Sequence, residues 1–404
     1  HLGVKMYSTL PPALAEMISN SYDACAQLVT VRLYDHDPDN KYIIITDDGN
    51  GMSFDEVNEF FLRIGRNRRK EGYKQTSCNR IATGKKGLGK LALFGLGEVI
   101  TISTTQNGNT TTFELNWNDI LNCKGDYLPE FRRSETGEEN GTTIQLSGLK
   151  RKTGYDIEAL AHSLAMLFNF SAADFQLQIS LNDGEVIEID SKLKYKNVDP
   201  EFHWTFKEIV PEIREDYIYK EVISGEVLTT EKPIKSNLRG ITLFANGRMV
   251  NAPEFFGQSE SSYFYSYATG WLNVDFVDDW DEDLISTNRQ SIDWENEKTI
   301  ELRTYLRSIM TTLERIWREQ RKTKRREKIT EKTDVNVEKW YETLPAQVQA
   351  TVEKIVNAVD DSELSEDAQA ETIQSIHSLV PEYPNFHWRN IHPEIKRVSQ
   401  RYYE

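Results

Sequence analysis

The chain has 404 residues and a formal net charge of -16, enough for two or three domains with sizeable cores. The acidic balance excludes a protein that coats nucleic acid with its whole surface, although a local basic patch stays open. No apolar run reaches membrane-spanning length, no signal peptide opens the chain, and Cys25, Cys78 and Cys123 form no Cys-x-x-Cys pair; this argues against a disulfide framework or a zinc ribbon and fits a reducing, cytoplasmic setting.

The chain starts at His1 and stops at Glu404 inside a helical pattern, so a longer natural protein is expected. Pro11 and Pro12 open a helical pattern from Ala13 to Gln27, proline being tolerated in a first turn. Glu16, Asn20 and Asp23 recur at spacings of four and three, so they share one face. That face is either solvated or functional. Two strands follow, Val29 to Tyr34 and Tyr42 to Thr46, as an antiparallel pair. The second is β-branched and runs into Asp47-Asp48-Gly49-Asn50-Gly51-Met52. This is either an acidic turn or a strand that delivers a carboxylate to a glycine turn, where backbone can approach a ligand.

Ser53 and Glu56 spell a capping box for a helix to about Ile64. A basic, loop-like stretch, Arg63 to Lys74, leads to Gly84-Lys85-Lys86-Gly87-Leu88-Gly89-Lys90 and an apolar helical pattern. Glycine-freed N–H groups at a helix start make an anion site; glycines kept for packing are the alternative. Leu91 stands where a Walker A loop needs Ser or Thr for magnesium, and no strong strand precedes Gly84, so neither that loop nor a dinucleotide fingerprint fits. Strands at Val99 to Thr104, Thr110 to Leu115 and Thr142 to Leu146 continue a sheet, the last opened by Gly141.

A helix from about Tyr155 to Phe168 and a strand from Phe175 to Leu181 set a domain boundary near residue 150. Strands at Gly240 to Phe244 and Trp271 to Phe276 follow, with an Asn246-Gly247 turn between them in the chain. One long helix spans Glu297 to Lys328 and ends in Arg321, Lys322, Lys324, Arg325, Arg326 and Lys328. That basic end either complements the helix dipole in solvent or contacts DNA. An acidic helical segment, Asp334 to Leu379, comes next.

Four stretches agree in order and spacing: Glu16-x-x-x-Asn20-x-x-Asp23-Ala24, Asp47-x-Gly49-x-Gly51-Met52, Gly84-x-x-Gly87-x-Gly89 and Gly141-Thr142. Together they resemble the GHKL ATPase superfamily of gyrase B, the large heat-shock chaperone, histidine kinases and MutL, with MORC proteins as relatives. The resemblance implies a two-layer α/β sandwich, the Bergerat ATP-binding fold, over residues 1–150. It further implies an α+β transducer domain over 151–296, an α-helical extension over 297–380 and the start of another helical domain at 381–404. Asp47 would accept from the adenine amino group, where guanine would set two acceptors face to face. Gly49, Gly51 and Met52 would form the turn beside it, and Thr142 would join at the adenine edge through its hydroxyl or a water. Asn20 would hold Mg2+, Glu16 would deprotonate the attacking water, and Gly84, Lys85, Lys86, Gly87, Leu88, Gly89 and Lys90 would hold the phosphates. Asp23 would be structural.

More weakly, Leu243-Phe244-Ala245-Asn246-Gly247-Arg248 resembles the MutL transducer strand that ends in Asn-Gly-Arg. Ile285 to Gln290 falls where a transducer loop sends a cation to the γ-phosphate, which makes Arg289 the candidate; an exposed loop arginine is the alternative. Ile391-His392-Pro393-Glu394-Ile395 is similar to the opening of a small helical domain in some bacterial defence-type proteins. The implied function is an ATP-hydrolysing switch that binds ATP and Mg2+ and dimerises with nucleotide. It would work with DNA through residues 321–328, or with a partner protein or C-terminal effector in a defence complex, and without a membrane. A chaperone is the rival, but it needs a client-binding middle segment. A histidine kinase needs a phosphoacceptor helix, and a pure binding module has no use for Glu16.

Overall fold

The computed structural model describes residues 10–62, 75–82, 93–123, 127–170, 173–258, 261–286, 288–360, 362, 364 and 366–380. The basic stretch 63–74, the glycine–lysine loop 84–90 and the 391–395 motif lie outside the described residues. The chain divides between Ile309 and Met310 into two compact units.

The first unit opens with α1 (Leu10–Asp23), β1 (Leu28–Tyr34), β2 (Tyr42–Asp47) and α2 (Phe54–Glu56), which continues as a π turn over Val57–Phe61. Then come α3 (Leu93–Leu96), β3 (Gly97–Gln106), β4 (Asn109–Asn116), α4 (Trp117–Asn122), β5 (Phe131–Glu135) and β6 (Gly141–Leu149). The series ends with α5 (Ile157–Leu167), β7 (Gln176–Leu181) and β8 (Ile187–Glu188). These strands form one sheet in the order β5-β4-β3-β6-β2-β1-β7-β8. All neighbours are antiparallel except β1 and β7, which run parallel with Val29 beside Leu177. The expected boundary near residue 150 therefore falls within the run of chain that builds this sheet.

Alternation explains the two layers. Val29, Val31 and Leu33 of β1 and Ile43 and Ile45 of β2 share a core with Leu14, Met17 and Ile18 of α1 and Leu160 and Leu164 of α5. The residues between them on the strands stay half-buried or exposed. Each such aliphatic side chain contributes roughly 1.5–3 kcal/mol by leaving water. This is a mixed α/β fold of the expected class, with helices on the sheet and a helical C-terminal extension.

A second sheet is built from β9 (Pro200–Thr205), β10 (Ser224–Thr230), β11 (Gly240–Ala245), β12 (Arg248–Glu254) and β13 (Ala268–Asn273), in the order β12-β11-β13-β10-β9. Short helices α6 (Phe206–Ile209) and α7 (Phe264–Tyr267) interrupt the strands. Asn246 and Gly247 join β11 to β12 with φ of 51° and 75°, the positive pair of a tight hairpin turn whose twist suits the strands. The turn docks on the first sheet's layer: Asn169 N donates to the Gly247 carbonyl at 2.7 Å, and Phe168 bridges to Arg248. A Cβ on Gly247 would lie 2.3 Å from the Phe170 ring, so only glycine fits there.

The long helix expected from Glu297 is α8 (Glu297–Thr333), of 37 residues. The second unit adds α9 (Val337–Thr343), α10 (Ala346–Asp360) and α11 (Glu366–Leu379), whose core includes Ile329, Trp340, Val356 and Ile373. The basic end of α8 serves this bundle. Lys322 Nζ donates to Asn357 Oδ1 at 2.6 Å, Arg325 donates to the Asp360 carbonyl, and Arg326 pairs with both Asp360 and Glu338. The cations at 322, 325 and 326 are thus neither a purely solvated face nor turned wholly to an outside ligand.

Cys25 and Cys78 form a disulfide with Cα atoms 5.9 Å apart, a single bridge in a chain whose cysteine spacing argued against a disulfide framework. Their separation of 53 residues hides a tertiary contact. Arg80 donates to the carbonyls of Tyr22 (3.1 Å) and Ala26 (2.7 Å) and lies over the Tyr22 ring, which draws residues 75–82 onto the loop after α1.

Candidate nucleotide site

The site forms where β2 ends, against the C-terminal half of α1. Asp47 is the last residue of β2, and its carboxylate accepts from Ser21 Oγ on Oδ2 at 2.8 Å and from Gly49 N on Oδ1 at 3.0 Å. Burial pushes this carboxyl above its ordinary range, while bonds from Ser21 and from the backbones of Gly49 and Thr142 pull it back. A carboxylate has about four acceptor sites, so these three bonds leave capacity for an incoming donor. The neighbouring carboxylate has another job: Asp48 Oδ1 accepts from the backbone N–H groups of Gln27 (2.7 Å) and Leu28 (2.9 Å), pinning the start of β1.

The glycines are demanded by contact. A Cβ on Gly51, where φ is +65°, would lie 1.8 Å from the Thr105 carbonyl. A Cβ on Gly49 would lie 2.7 Å from the Ala24 carbonyl, which itself accepts from Asn50 N at 2.8 Å. The turn is closed by Met52 N, which donates to Thr104 Oγ1 at 2.9 Å. Thr104 is fully buried and also meets Thr142 Oγ1 at 3.1 Å. Thr142 pairs with Asp47 across β2 and β6 and with Thr104 across β3 and β6, so one hydroxyl pair ties three strands behind the expected adenine edge. Ser53 caps α2 with the reciprocal Glu56 bonds of a capping box, as its sequence predicts.

On α1, Glu16 and Asn20 lie one turn apart, Asn20 exposed and Glu16 at 15% side-chain exposure. Asp23 is buried, in keeping with a structural place. Glu16 Oε1 accepts from Arg248 Nη2 in an ion pair across 232 residues of sequence. Arg289 is buried at 8% exposure, not an exposed loop arginine. Burial and the like charge of Arg248 lower its affinity for a proton, while the carboxylates of Asp278, Glu16 and Asp23 oppose them. Glu16, Arg248 and Arg289 therefore share one electrostatic neighbourhood.

Asp47, Gly49, Gly51, Met52 and Thr142 thus share one turn and its strand neighbour, Ser21 ties that turn to the helix that carries Glu16 and Asn20, and Arg289 neighbours Glu16, while residues 84–90 lie outside the described residues. Sequence reasoning missed Ser21 and Thr104, and named Arg248 only as the end of the Asn-Gly-Arg strand, with no place beside Glu16. The only sequence signals were a serine on the apolar side of α1, a threonine in register with Thr142, and the Asn-Gly turn that aims Arg248.

Magnesium suits such a donor set. It binds through one or two protein oxygens plus phosphates and water, and Asn20 offers an exposed amide oxygen one turn from Glu16. Among the described residues no helix is long and apolar enough to cross a membrane.

A protein of Herpetosiphon aurantiacus described as "Putative type II restriction enzyme HgiDII" is 26% identical over 343 residues, which cover 80% of this chain and 55% of that protein. The chain thus spans about half the length of this relative. Residues 7–143 match the model of the histidine kinase-, DNA gyrase B-, and HSP90-like ATPases, and the Asp47 turn, the Glu16–Asn20 helix and the sheet order above agree with a GHKL-type fold in this part of the chain.

Proposed function

We propose that the protein is an ATP-driven conformational switch that hydrolyses ATP to ADP and phosphate and works on DNA in a restriction-type defence complex. The observation that carries the ATPase reading is the juxtaposition of a buried adenine-type acceptor, Asp47, with a carboxylate–amide pair, Glu16 and Asn20, on the helix that Ser21 ties to Asp47. Asp47 takes a hydrogen bond from the adenine amino group, and Thr142 contributes at the same edge. Asn20 holds Mg2+, which neutralises phosphate charge when bound. Glu16 accepts a proton from the water that attacks the γ-phosphate, and Lys85, Lys86 and Lys90 with Gly84, Gly87, Leu88 and Gly89 hold the phosphates. Arg289, from the second sheet's side of the first unit, stabilises the transferred charge and links turnover to that sheet.

The DNA and defence part of the reading rests on the relative's description as a putative restriction enzyme. Nucleotide-gated homodimerisation, a MutL- or MORC-like transducer over 151–296 and an effector or partner protein complete it. The test pairs calorimetry with phosphate release, with and without DNA. Asp47→Asn should lose ATP binding, because an amide sets a donor against the amino group. Glu16→Ala should bind ATP but turn over a hundredfold or more slowly. Wild-type ATP affinity in Asp47→Asn would overturn the site.

A further inference from the structure

We propose that Arg248 is a positioning residue of the ATPase: it fixes the carboxylate of Glu16 and thereby makes hydrolysis depend on the second sheet. This rests on the reading of Glu16 as the base. Three features carry it. The first is the contact itself, Arg248 Nη2 to Glu16 Oε1, with side-chain exposures of only 7% and 15%, so water and salt screen it little. Oε1 is engaged, and Oε2 remains to take a proton from water.

The second feature is how firmly the guanidinium is aimed. Arg248 is the first residue after the Asn246-Gly247 turn and pairs with Ala245. Asn246 is held from the second sheet's side by two aspartates: its N–H donates to Asp275 Oδ1 at 2.8 Å and its amide to Asp278 Oδ2 at 3.0 Å. Gly247 is held from the first sheet's side through Asn169 N. A hairpin tip anchored from both sides restricts the cation it carries, and a restricted cation restricts the carboxylate.

The third feature is the division of labour with Arg289. Two arginines in one buried neighbourhood repel each other, and the acidic groups Glu16, Asp23 and Asp278 offset this. Arg248 is bonded to Glu16, and Arg289 completes the charge balance of this neighbourhood.

The experiment uses the whole chain and reads ATP affinity by calorimetry and turnover by phosphate release. Arg248→Gln should lower kcat about a hundredfold, the effect of misplacing a reacting group, with ATP Kd within threefold of wild type. Arg248→Lys keeps the charge but not the planar fork and should lose about tenfold in kcat. In a Glu16→Gln background, Arg248→Gln should cost nothing further, because a residue that acts through Glu16 has nothing left to act on.

Wild-type kcat in folded Arg248→Gln overturns the proposal. If that variant does not fold, wild-type kcat in Arg248→Lys overturns it instead. A tenfold or greater loss of ATP affinity in Arg248→Gln also overturns it, by showing that Arg248 binds the phosphates. Wild-type turnover in Glu16→Gln would sink the base reading itself, whereas a dead Glu16→Gln beside an unaffected Arg248→Gln sinks this inference alone.

Discussion

Replacing Lys194 by methionine should change stability with opposite signs at the two ends of the accessible pH range. Lys194 is 1% exposed, its Nζ donates to Asn169 Oδ1 at 2.7 Å, and the amine lies 4.2 Å from the centre of the Phe244 ring. Burial pushes its pKa down from 10.5 to about 7, with Glu226 pulling the other way. A fall of about 3.5 units at about 1.36 kcal/mol each sets an upper figure of about 5 kcal/mol. The ring face and the amide favour the charged form and trim it. Between pH 7 and pH 10.5 the unfolded chain holds a proton that the folded chain has shed, so stability rises with pH across that window, and the deficit is complete below pH 7. Lys194→Met abolishes this slope but leaves Asn169 without its donor, a loss of about 1–3 kcal/mol. The variant should therefore gain about 2 kcal/mol at pH 6 and be the less stable protein at pH 10. Urea midpoints of the first unit's transition, measured from pH 6 to pH 10, decide it. Parallel stability curves for the two proteins would refute the reasoning.

Two further predictions concern the bridge and the helical unit. Dithiothreitol should destabilise the first unit, because opening a 53-residue separation frees the unfolded chain by about 4 kcal/mol; Cys25→Ser should melt at one temperature with or without reductant, and a reductant-insensitive wild type would show unbridged thiols. Arg326→Glu should cost about 3–5 kcal/mol in the second unit, by stranding the buried Asp360 beside a second acid. Thermal unfolding would show this as loss of that unit's transition, and an unchanged transition would return Arg326 to the list of candidate DNA contacts.

What could be read from the sequence follows how local the physics is. Ser53 and Glu56 announce their cap three residues apart, and the β-branched run of β2 announces a strand whose end carries Asp47. The helical spacing of Glu16 and Asn20 needs no tertiary knowledge. The disulfide, by contrast, depends on Arg80 finding the carbonyls of Tyr22, in the last turn of α1, and Ala26, just beyond it. The contact from Arg248 to Glu16 depends on a hairpin in one sheet docking against the layer of another. The basic end of α8 looked like an outward-facing feature because its partners, Asn357 and Asp360, lie on α10, about thirty-five residues on.

The parallel pairing of β1 with β7 bears on where the gene can be cut. A fragment ending soon after β6 would contain the Asp47 turn and its neighbours Thr104 and Thr142, yet it would lack Gln176–Leu181. β1 would then become a terminal strand, with the backbone groups from Leu28 to Leu33 that now pair with β7 facing water. Its side chains Val29, Val31 and Leu33 would be shielded on one face only by α1, since α5 would be missing as well. Such an apolar, unprotected rim is a template for pairing with a second copy, so a minimal fragment of this fold should extend through β8 to avoid that pairing.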